Sequence, residues 1–188
     1  VVENRVLTTA EIQNAAATFE GLDMGVPYIA QIFYNEVLRG TLNTKTSGSS
    51  GSLIFNINIP GITAEDISTA LAGHAAEGTK KVTVNFASGM EFNMEGTITI
   101  PTGIQDISFV GSENANGKLS QLNKVYFAIE SEVNDVNFEY LSMNSDGGFM
   151  FQVGAQKFHD ITFEGCEVKQ VNSAVRLHSG AEGNSVNF

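Results

Sequence analysis

The stretch Ile104-Gln-Asp-Ile-Ser-Phe109 decides the fold, because the chain repeats its pattern three more times. The later copies are Val133-Asn-Asp-Val-Asn-Phe138, Phe158-His-Asp-Ile-Thr-Phe163 and Glu182-Gly-Asn-Ser-Val-Asn-Phe188. The phenylalanines that close the four copies are separated by 29, 25 and 25 residues. A fixed period of this length predicts a solenoid, in which each repeat buries its apolar side by stacking on its neighbours.

Each repeat is predicted to consist of strands, because its apolar residues alternate with a period of two, as Ile107 and Phe109 do. Two more alternating segments accompany the later copies: Leu141/Met143 and Cys166/Val168 after a bend, and Val125/Phe127/Ile129, Phe149/Phe151/Val153 and Val175/Leu177 upstream. Three short strands per repeat, joined by polar or glycine-containing corners, predict an all-β parallel β-helix formed by a single chain. Its repeated phenylalanines are expected to stack in the core.

A helix is predicted over the stretch Thr63-Ala-Glu-Asp-Ile-Ser-Thr-Ala-Leu-Ala-Gly-His74. Thr63 suits the N-cap, and Asp66 completes an approximate capping box. Ile67, Ala70 and Leu71 lie on one face at helical spacing. Because a solenoid end exposes core and unpaired strand edges, this helix is expected to cap the first coil.

The residues before the helix have a different organisation. The pattern of residues 1–46 predicts strands and turns only. The strands run from Tyr28 to Tyr34 and from Gly40 to Thr46, and the turns lie at Asn35-Glu36 and Arg39-Gly40. A run of Ser and Gly after Thr46 has the composition of a flexible linker. We therefore expect domains at residues 1–46 and 62–188, with a linker and connecting strand at 47–61. The last repeat is expected to be truncated, because Phe188 closes it without the strand that should follow.

Two resemblances follow from these residues. Residues 62–188 resemble the right-handed parallel β-helices of the pectate-lyase-like superfamily, which predicts a right-handed solenoid. The spacing Leu22-x-x-Gly25-x-x-Tyr28 resembles the tyrosine corner of fibronectin type III modules, of which residues 1–46 match only the C-terminal part, a partial β-sandwich. The order of the two parts resembles surface polysaccharide-utilisation proteins of Bacteroidetes.

Composition narrows the classes of function. The formal net charge is −11, which argues against nucleic acid as a partner, since phosphates need a basic face. The sequence contains no run of about 20 apolar residues, so no membrane-spanning helix is predicted. Cys166 is the single cysteine and lies on the apolar phase of a strand, so it is interpreted as a buried structural thiol.

Several residues are candidates for chemistry, each with a structural alternative. Asp106, Asp135 and Asp160 occupy the same position in successive repeats and could bind Ca²⁺ through their carboxylates, or serve as corner residues. Tyr126 and Tyr140 are expected to face outward, as sugar-stacking rings or as ordinary surface residues. The resemblance to lyases implies a solvent-facing base, for which Arg176, between Val175 and Leu177, is the candidate.

The leading hypothesis is an extracellular or cell-surface carbohydrate-interacting protein that binds glycans or acts as a scaffold, without catalysis and without a cofactor. One alternative is a calcium-dependent polysaccharide lyase that acts on pectin-like uronans, with its active site in coils beyond this chain. Another is a structural spacer or adhesin stalk. The resemblance implies a polysaccharide or oligosaccharide as partner, contact with other polysaccharide-uptake proteins, and a lipid anchor through a missing N-terminus as one means of surface attachment.

Overall fold

The computed structural model describes residues 5–14, 17, 19, 27–45 and 52–188. The chain divides into two compact units, Val1–Ser49 and Ser50–Phe188. The first unit contains α1 (Thr9–Asn14), β1 (Pro27–Tyr34) and β2 (Val37–Lys45). The second contains β3 (Ser52–Ile57), α2 (Ala64–Ala76), β4 (Lys81–Phe86), β5 (Glu91–Ile100), β6 (Asp106–Val110), β7 (Ser120–Ile129), β8 (Val133–Glu139), β9 (Leu141–Asn144), β10 (Phe149–Val153), β11 (Lys157–Glu164), β12 (Glu167–Lys169), β13 (Ser173–Leu177) and β14 (Glu182–Asn187).

The first unit holds an antiparallel hairpin of β1 and β2. The predicted turn at Asn35 and Glu36 is confirmed, with φ angles of 47° and 64°, the positive values that a two-residue hairpin turn requires. The turn predicted at Arg39-Gly40 is wrong, because β2 runs through both residues: Gly40 pairs with Ile32, and Arg39 is left without a register partner at a β-bulge. Glycine in this strand therefore does not end it.

The short helix α1 corrects the prediction that this region contains only strands and turns. The Thr8 hydroxyl accepts a hydrogen bond from the Glu11 backbone N–H at 3.3 Å, and the Glu11 carboxylate accepts one from the Thr8 N–H at 2.8 Å. This reciprocal pair is a capping box, and its Thr-x-x-Glu spacing is visible in the sequence. Leu22 and Gly25 of the fibronectin-like motif, and residues 47–51 of the predicted linker, lie outside the described residues.

The second unit is a parallel β-solenoid, which confirms the predicted all-β parallel β-helix. The first solenoid sheet has the order β14-β11-β8-β6-β4-β3, and the second has the order β12-β9-β7-β10-β13 with β5 also paired to β7. Every pairing within the two sheets is parallel. The strand β3 joins this unit through β4. The right hand of the solenoid stays a prediction.

The three predicted strand segments per coil are present, although two of them fuse in the early coils. The N-terminal half of β7 pairs with β9, and its C-terminal half pairs with β10. Between these halves the backbone bends at Lys124, whose φ is 51°. In the later coils the bend is wide enough to separate β9 from β10 and β12 from β13.

The predicted phenylalanine stack forms the centre of the core. The rings of Phe109 and Phe138 are 5.4 Å apart, those of Phe138 and Phe163 are 4.8 Å apart, and those of Phe163 and Phe188 are 5.1 Å apart. All three pairs are nearly parallel, within 13°. Phe127, from the second solenoid sheet, meets Phe138 edge to face at 4.8 Å.

Helix α2 covers the outer edge of β5, as expected of a cap. Its capping box is confirmed, with Thr63 as N-cap and Asp66 as the reciprocal residue. Ile67 and Leu71 are fully buried. The Ser68 hydroxyl accepts a hydrogen bond from the Thr99 N–H at 2.9 Å, so the helix satisfies a backbone donor at the strand edge. Neither described helix is long and apolar enough to cross a membrane.

Replacing Phe138 with alanine is expected to lower the free energy of unfolding by about 3–5 kcal/mol, because the buried ring leaves a cavity inside the stack. Phe188→Ala is the matched control, since Phe188 belongs to the same stack but is 80% exposed. Its loss should be below about 1 kcal/mol. Chemical denaturation followed by circular dichroism measures both values, and equal losses would contradict the central position of Phe138.

Thr63→Ala is expected to destabilise the protein by about 1 kcal/mol, because it removes the N-cap of α2. The Thr63 hydroxyl is the main cause that lowers the pKa of Asp66 from its ordinary value of 3.8. A carboxyl with a lowered folded pKa stabilises above its unfolded pKa, so the difference from wild type should shrink as the pH falls below about 4. Thr69→Ala is the control, because Thr69 is exposed within α2, and it should not lower the stability. Thermal unfolding of both variants and the wild type at several pH values measures the difference.

Candidate functional site

An open groove of about 440 Å³ lies on the outward face of the second solenoid sheet. The groove is lined by residues of β5, β7 and β10 and of the corners after β10 and β13. The main lining residues are Thr97, Tyr126, Gln152, Gly154, Gln156 and His178. None of the described residues that line the groove is acidic. The groove lining therefore adds no negative charge of its own, in a chain with 21 Asp and Glu residues.

Strand periodicity places these side chains. Ile98, Phe127 and Phe151 are in register across three strands and point into the core. Since side chains alternate across a strand, the neighbours Tyr126 and Gln152 point outward. The same register that builds the core therefore lines up the floor of the groove.

Tyr126 supplies the aromatic side of the groove. Its hydroxyl donates a hydrogen bond to the Ser145 carbonyl oxygen at 2.9 Å. The ring lies against Gly148, where an added Cβ would come within 2.6 Å of the Tyr126 Cε1 atom. The loop before β10 thus fixes the ring, and Tyr126 faces outward, half-buried at the groove.

Two polar side chains from the following coils line the groove together with Tyr126. The Gln152 Oε1 atom lies 3.4 Å from the His178 Nε2 atom. The backbone at His178 is held in place, because its N–H donates to the Val153 carbonyl oxygen at 2.9 Å. The groove therefore offers an amide and an imidazole, both of which form hydrogen bonds with hydroxyl groups.

Arg176, the candidate base, lies beside this groove. It is the register partner of Gln152 on the neighbouring strand and is exposed. Its guanidinium carbon lies 4.3 Å from the centroid of the Phe149 ring, a cation–π contact. Phe149 is consequently half-buried outside the core, although its alternation with Phe151 predicted an inward side chain.

Tyr140 does not line the groove. It occupies the corner between β8 and β9 with a φ of 51°, and its side chain is 44% exposed. Its ring lies over Gly165 in the next coil, where an added Cβ would come within 2.8 Å of the ring. The two predicted sugar-stacking tyrosines are thus apart, Tyr126 on strand β7 and Tyr140 at a corner.

The three aspartates proposed for Ca²⁺ form the expected row on the outward face of the first solenoid sheet. Asp106 is in register with Asp135, and Asp135 with Asp160. Asp106 forms an ion pair with Lys81 at 2.8 Å. The row continues to Ser185, whose hydroxyl donates to the Asp160 Oδ1 atom at 2.5 Å and is the main cause of the lowered pKa of Asp160.

A three-residue cluster involves only two of these aspartates. The ligand atoms of Asp135, His159 and Asp160 lie within 4.8 Å of one another. The His159 Nδ1 atom is 3.0 Å from the Asp160 Oδ2 atom and 3.6 Å from the Asp135 Oδ1 atom. Imidazole with two carboxylates suits zinc or a related metal better than Ca²⁺, which prefers oxygen ligands. His159 is exposed.

The aspartate row and Arg176 are on different sheets of the solenoid. A calcium-assisted lyase would need its carboxylate ligands next to its base, so the predicted calcium ligands and the predicted base do not form one site among the described residues. Cys166 is half-buried, with its thiol donating to the Glu164 carbonyl oxygen at 3.4 Å, and burial raises its pKa. A raised pKa keeps the thiol protonated and unreactive.

Sequence reasoning missed Gln152 and Gln156. Gln152 could have been found, because aligning the repeats on Phe127 and Phe151 places it in the same outward row as Arg176. Gln156 carries no such signal, since it lies in the corner between β10 and β11, and the shape of this corner depends on the neighbouring coil. An asparagine row at the bend, Asn123 with Asn144 at 2.7 Å, was also missed.

The fold defines the class of this protein as a parallel β-solenoid with a non-acidic groove on one outer face. Comparisons with protein-family models, with curated proteins and with solved structures found no match.

Ser185→Ala is expected to raise the pKa of Asp160 toward its ordinary value of 3.8, because it removes the hydroxyl that stabilises the carboxylate. Any stability contribution from this pair is present above the unfolded pKa and is lost as the pH falls through the lowered folded pKa. NMR titration of Asp160 measures the shift. Ser108→Ala, in the adjacent outward row, should leave it unchanged; an unchanged pKa in Ser185→Ala would contradict the assignment.

Proposed function

We propose that this chain is a carbohydrate-interacting protein that binds a glycan in the groove on the second solenoid sheet, without catalysis. The observation that carries the proposal is the half-buried Tyr126 ring in a groove with amide and imidazole groups and no acidic lining residue. Binding sites combine an apolar or aromatic surface with a few placed polar groups. A sugar matches this surface, because its ring has apolar faces and its rim carries hydroxyls.

Two features favour binding over cleavage. Glycoside hydrolysis needs a pair of carboxyl groups beside the bond that breaks, and the groove lining has none among the described residues. A lyase needs a base with a nearby cation site, and the aspartates proposed for Ca²⁺ lie on the other sheet from Arg176. The lyase alternative therefore depends on residues outside this groove.

The proposal extends to location and origin. The order of a hairpin-containing unit and a β-solenoid resembles surface polysaccharide-utilisation proteins of Bacteroidetes, with a fibronectin type III-like module before a pectate-lyase-like β-helix. We propose on this resemblance that the protein acts outside the cell or at the outer surface. Its support is the sequence pattern of the two parts.

Affinity gel electrophoresis with separate polygalacturonate, xyloglucan, laminarin and mannan gels tests the proposal. At least one glycan should retard the chain, and Tyr126→Ala should weaken that binding about tenfold or more, because the groove loses its ring. Tyr126→Phe should bind nearly as well as wild type, since the ring remains while the Ser145 hydrogen bond is lost.

Tyr140→Ala is the matched control, because Tyr140 is an outward tyrosine away from the groove. Equal loss in Tyr140→Ala, or no retardation by any of the four glycans, would contradict groove binding. Ultraviolet-absorbing unsaturated product from polygalacturonate with calcium would favour the lyase alternative. A spacer would give neither retardation nor product.

A further inference from the structure

Gln156 has an unusual environment at the edge of the groove. Its Oε1 atom is buried and has no hydrogen-bond partner among the residues that the structure describes. The side chain folds back over Gly154, where an added Cβ would come within 2.7 Å of this oxygen. A buried amide oxygen without a partner has lost its hydration without replacement, so this position of the side chain is unfavourable.

The backbone at this corner is held by the next coil. The Glu182 N–H donates to the Gln156 carbonyl oxygen at 3.2 Å. Ala155 lies against Gly180, where an added Cβ would come within 3.3 Å of the Ala155 Cβ. Because the backbone is fixed, the unpaired Oε1 atom can gain a protein or ligand partner only when the side chain turns, and the groove is the space that Gln156 lines.

We propose that Gln156 is a ligand-recognition residue of the groove: the amide lies over Gly154 in the free protein and turns into the groove to bond a hydroxyl of the glycan. This inference rests on the proposed glycan binding. When the side chain rotates, the Gln156 oxygen gains a hydrogen-bond partner that it lacks in the free protein. Part of the ligand's binding free energy therefore comes from satisfying this oxygen.

The chemistry of the amide specifies the ligand group. A primary amide carries an accepting oxygen and a donating NH₂, whereas a hydroxyl both donates and accepts. A hydroxyl therefore pairs with Gln156 whichever end of the amide faces the groove. A carboxylate only accepts and pairs with the NH₂ end alone. The subsite is thus suited to an uncharged sugar hydroxyl.

Two substitutions have opposite expected effects on affinity for the glycan that retards the wild-type chain. Gln156→Leu should weaken binding by about 5-fold to 30-fold, yet should not lower the melting temperature, because it removes an unpaired buried polar group. Gly154→Ala should strengthen binding by about 2-fold to 5-fold, because the new methyl group occupies the folded-back position and leaves the amide in the groove beforehand.

Gln105→Leu is the control, since Gln105 is exposed at an earlier corner and does not line the groove. Two-dimensional NMR of the isotope-labelled full chain, with laminarin, xyloglucan, mannan and polygalacturonate oligosaccharides added in turn, gives the direct readout. The Gln156 side-chain amide signals, assigned by their loss in Gln156→Leu, should shift with a neutral oligosaccharide.

Failure of this inference differs from failure of the proposed function. If an oligosaccharide shifts the Tyr126 signals but leaves the Gln156 amide unmoved, or if Gln156→Leu binds as tightly as wild type, the role of Gln156 is overturned while glycan binding stands. If no oligosaccharide shifts either residue, both are overturned. Weaker binding by Gly154→Ala would also contradict the folded-back position as the resting state.

Discussion

The in-register parallel pairing of the first solenoid sheet is the constraint on which the rest of the second unit depends. Phe109, Phe138 and Phe163 are direct register partners. Side chains alternate with a period of two, so a slip of one residue would move each ring from the core to solvent. Because buried aromatic stacks strongly favour one register, this pairing also fixes every outward row on the same strands.

The aspartate row is best understood as a consequence of that register. Stacking the rings also stacks Asp106, Asp135 and Asp160, and the like charges repel one another. Lys81 at one end and the Ser185 hydroxyl at the other relieve this repulsion. Partners of this kind stabilise ionised carboxylates in place, which is a structural role. Asp135, in the middle of the row, has the His159 imidazole at 3.6 Å.

Much of the fold follows from local sequence, and most of the groove does not. The alternating strands, the Phe109 to Phe188 stack and the capped helix at Thr63 are predictable, because periodicity and capping residues act over a few positions. The helix at Thr9 had a capping signal that strand-like surroundings obscured. Gly40 misled because glycine favours turns, yet in a hairpin with its own tight turn the pairing overrides that preference.

The shape of the groove depends on which corners of adjacent coils contact each other, and the periodicity of the sequence does not predict these contacts. Tyr126 was identified as outward from alternation alone, but its position against Gly148 depends on the loop that enters β10. The Gln156 side chain depends on a glycine two residues before it and on a backbone bond from the next coil. Apart from the contact between Gln156 and Gly154, the contacts that shape the groove join residues 19 to 26 positions apart, so they become visible only when the coils are stacked.

The charged side chains near the groove differ from those on the rest of the solenoid surface. Five lysines pair with carboxylates of their own chain: Lys81, Lys118, Lys124, Lys157 and Lys169. Among the described residues, Arg176 contacts an aromatic ring and forms no ion pair. The field at the groove is therefore less negative than the net charge of −11 suggests. An acidic sugar would therefore be repelled less at the groove than beside the row of Asp106, Asp135 and Asp160 on the first solenoid sheet.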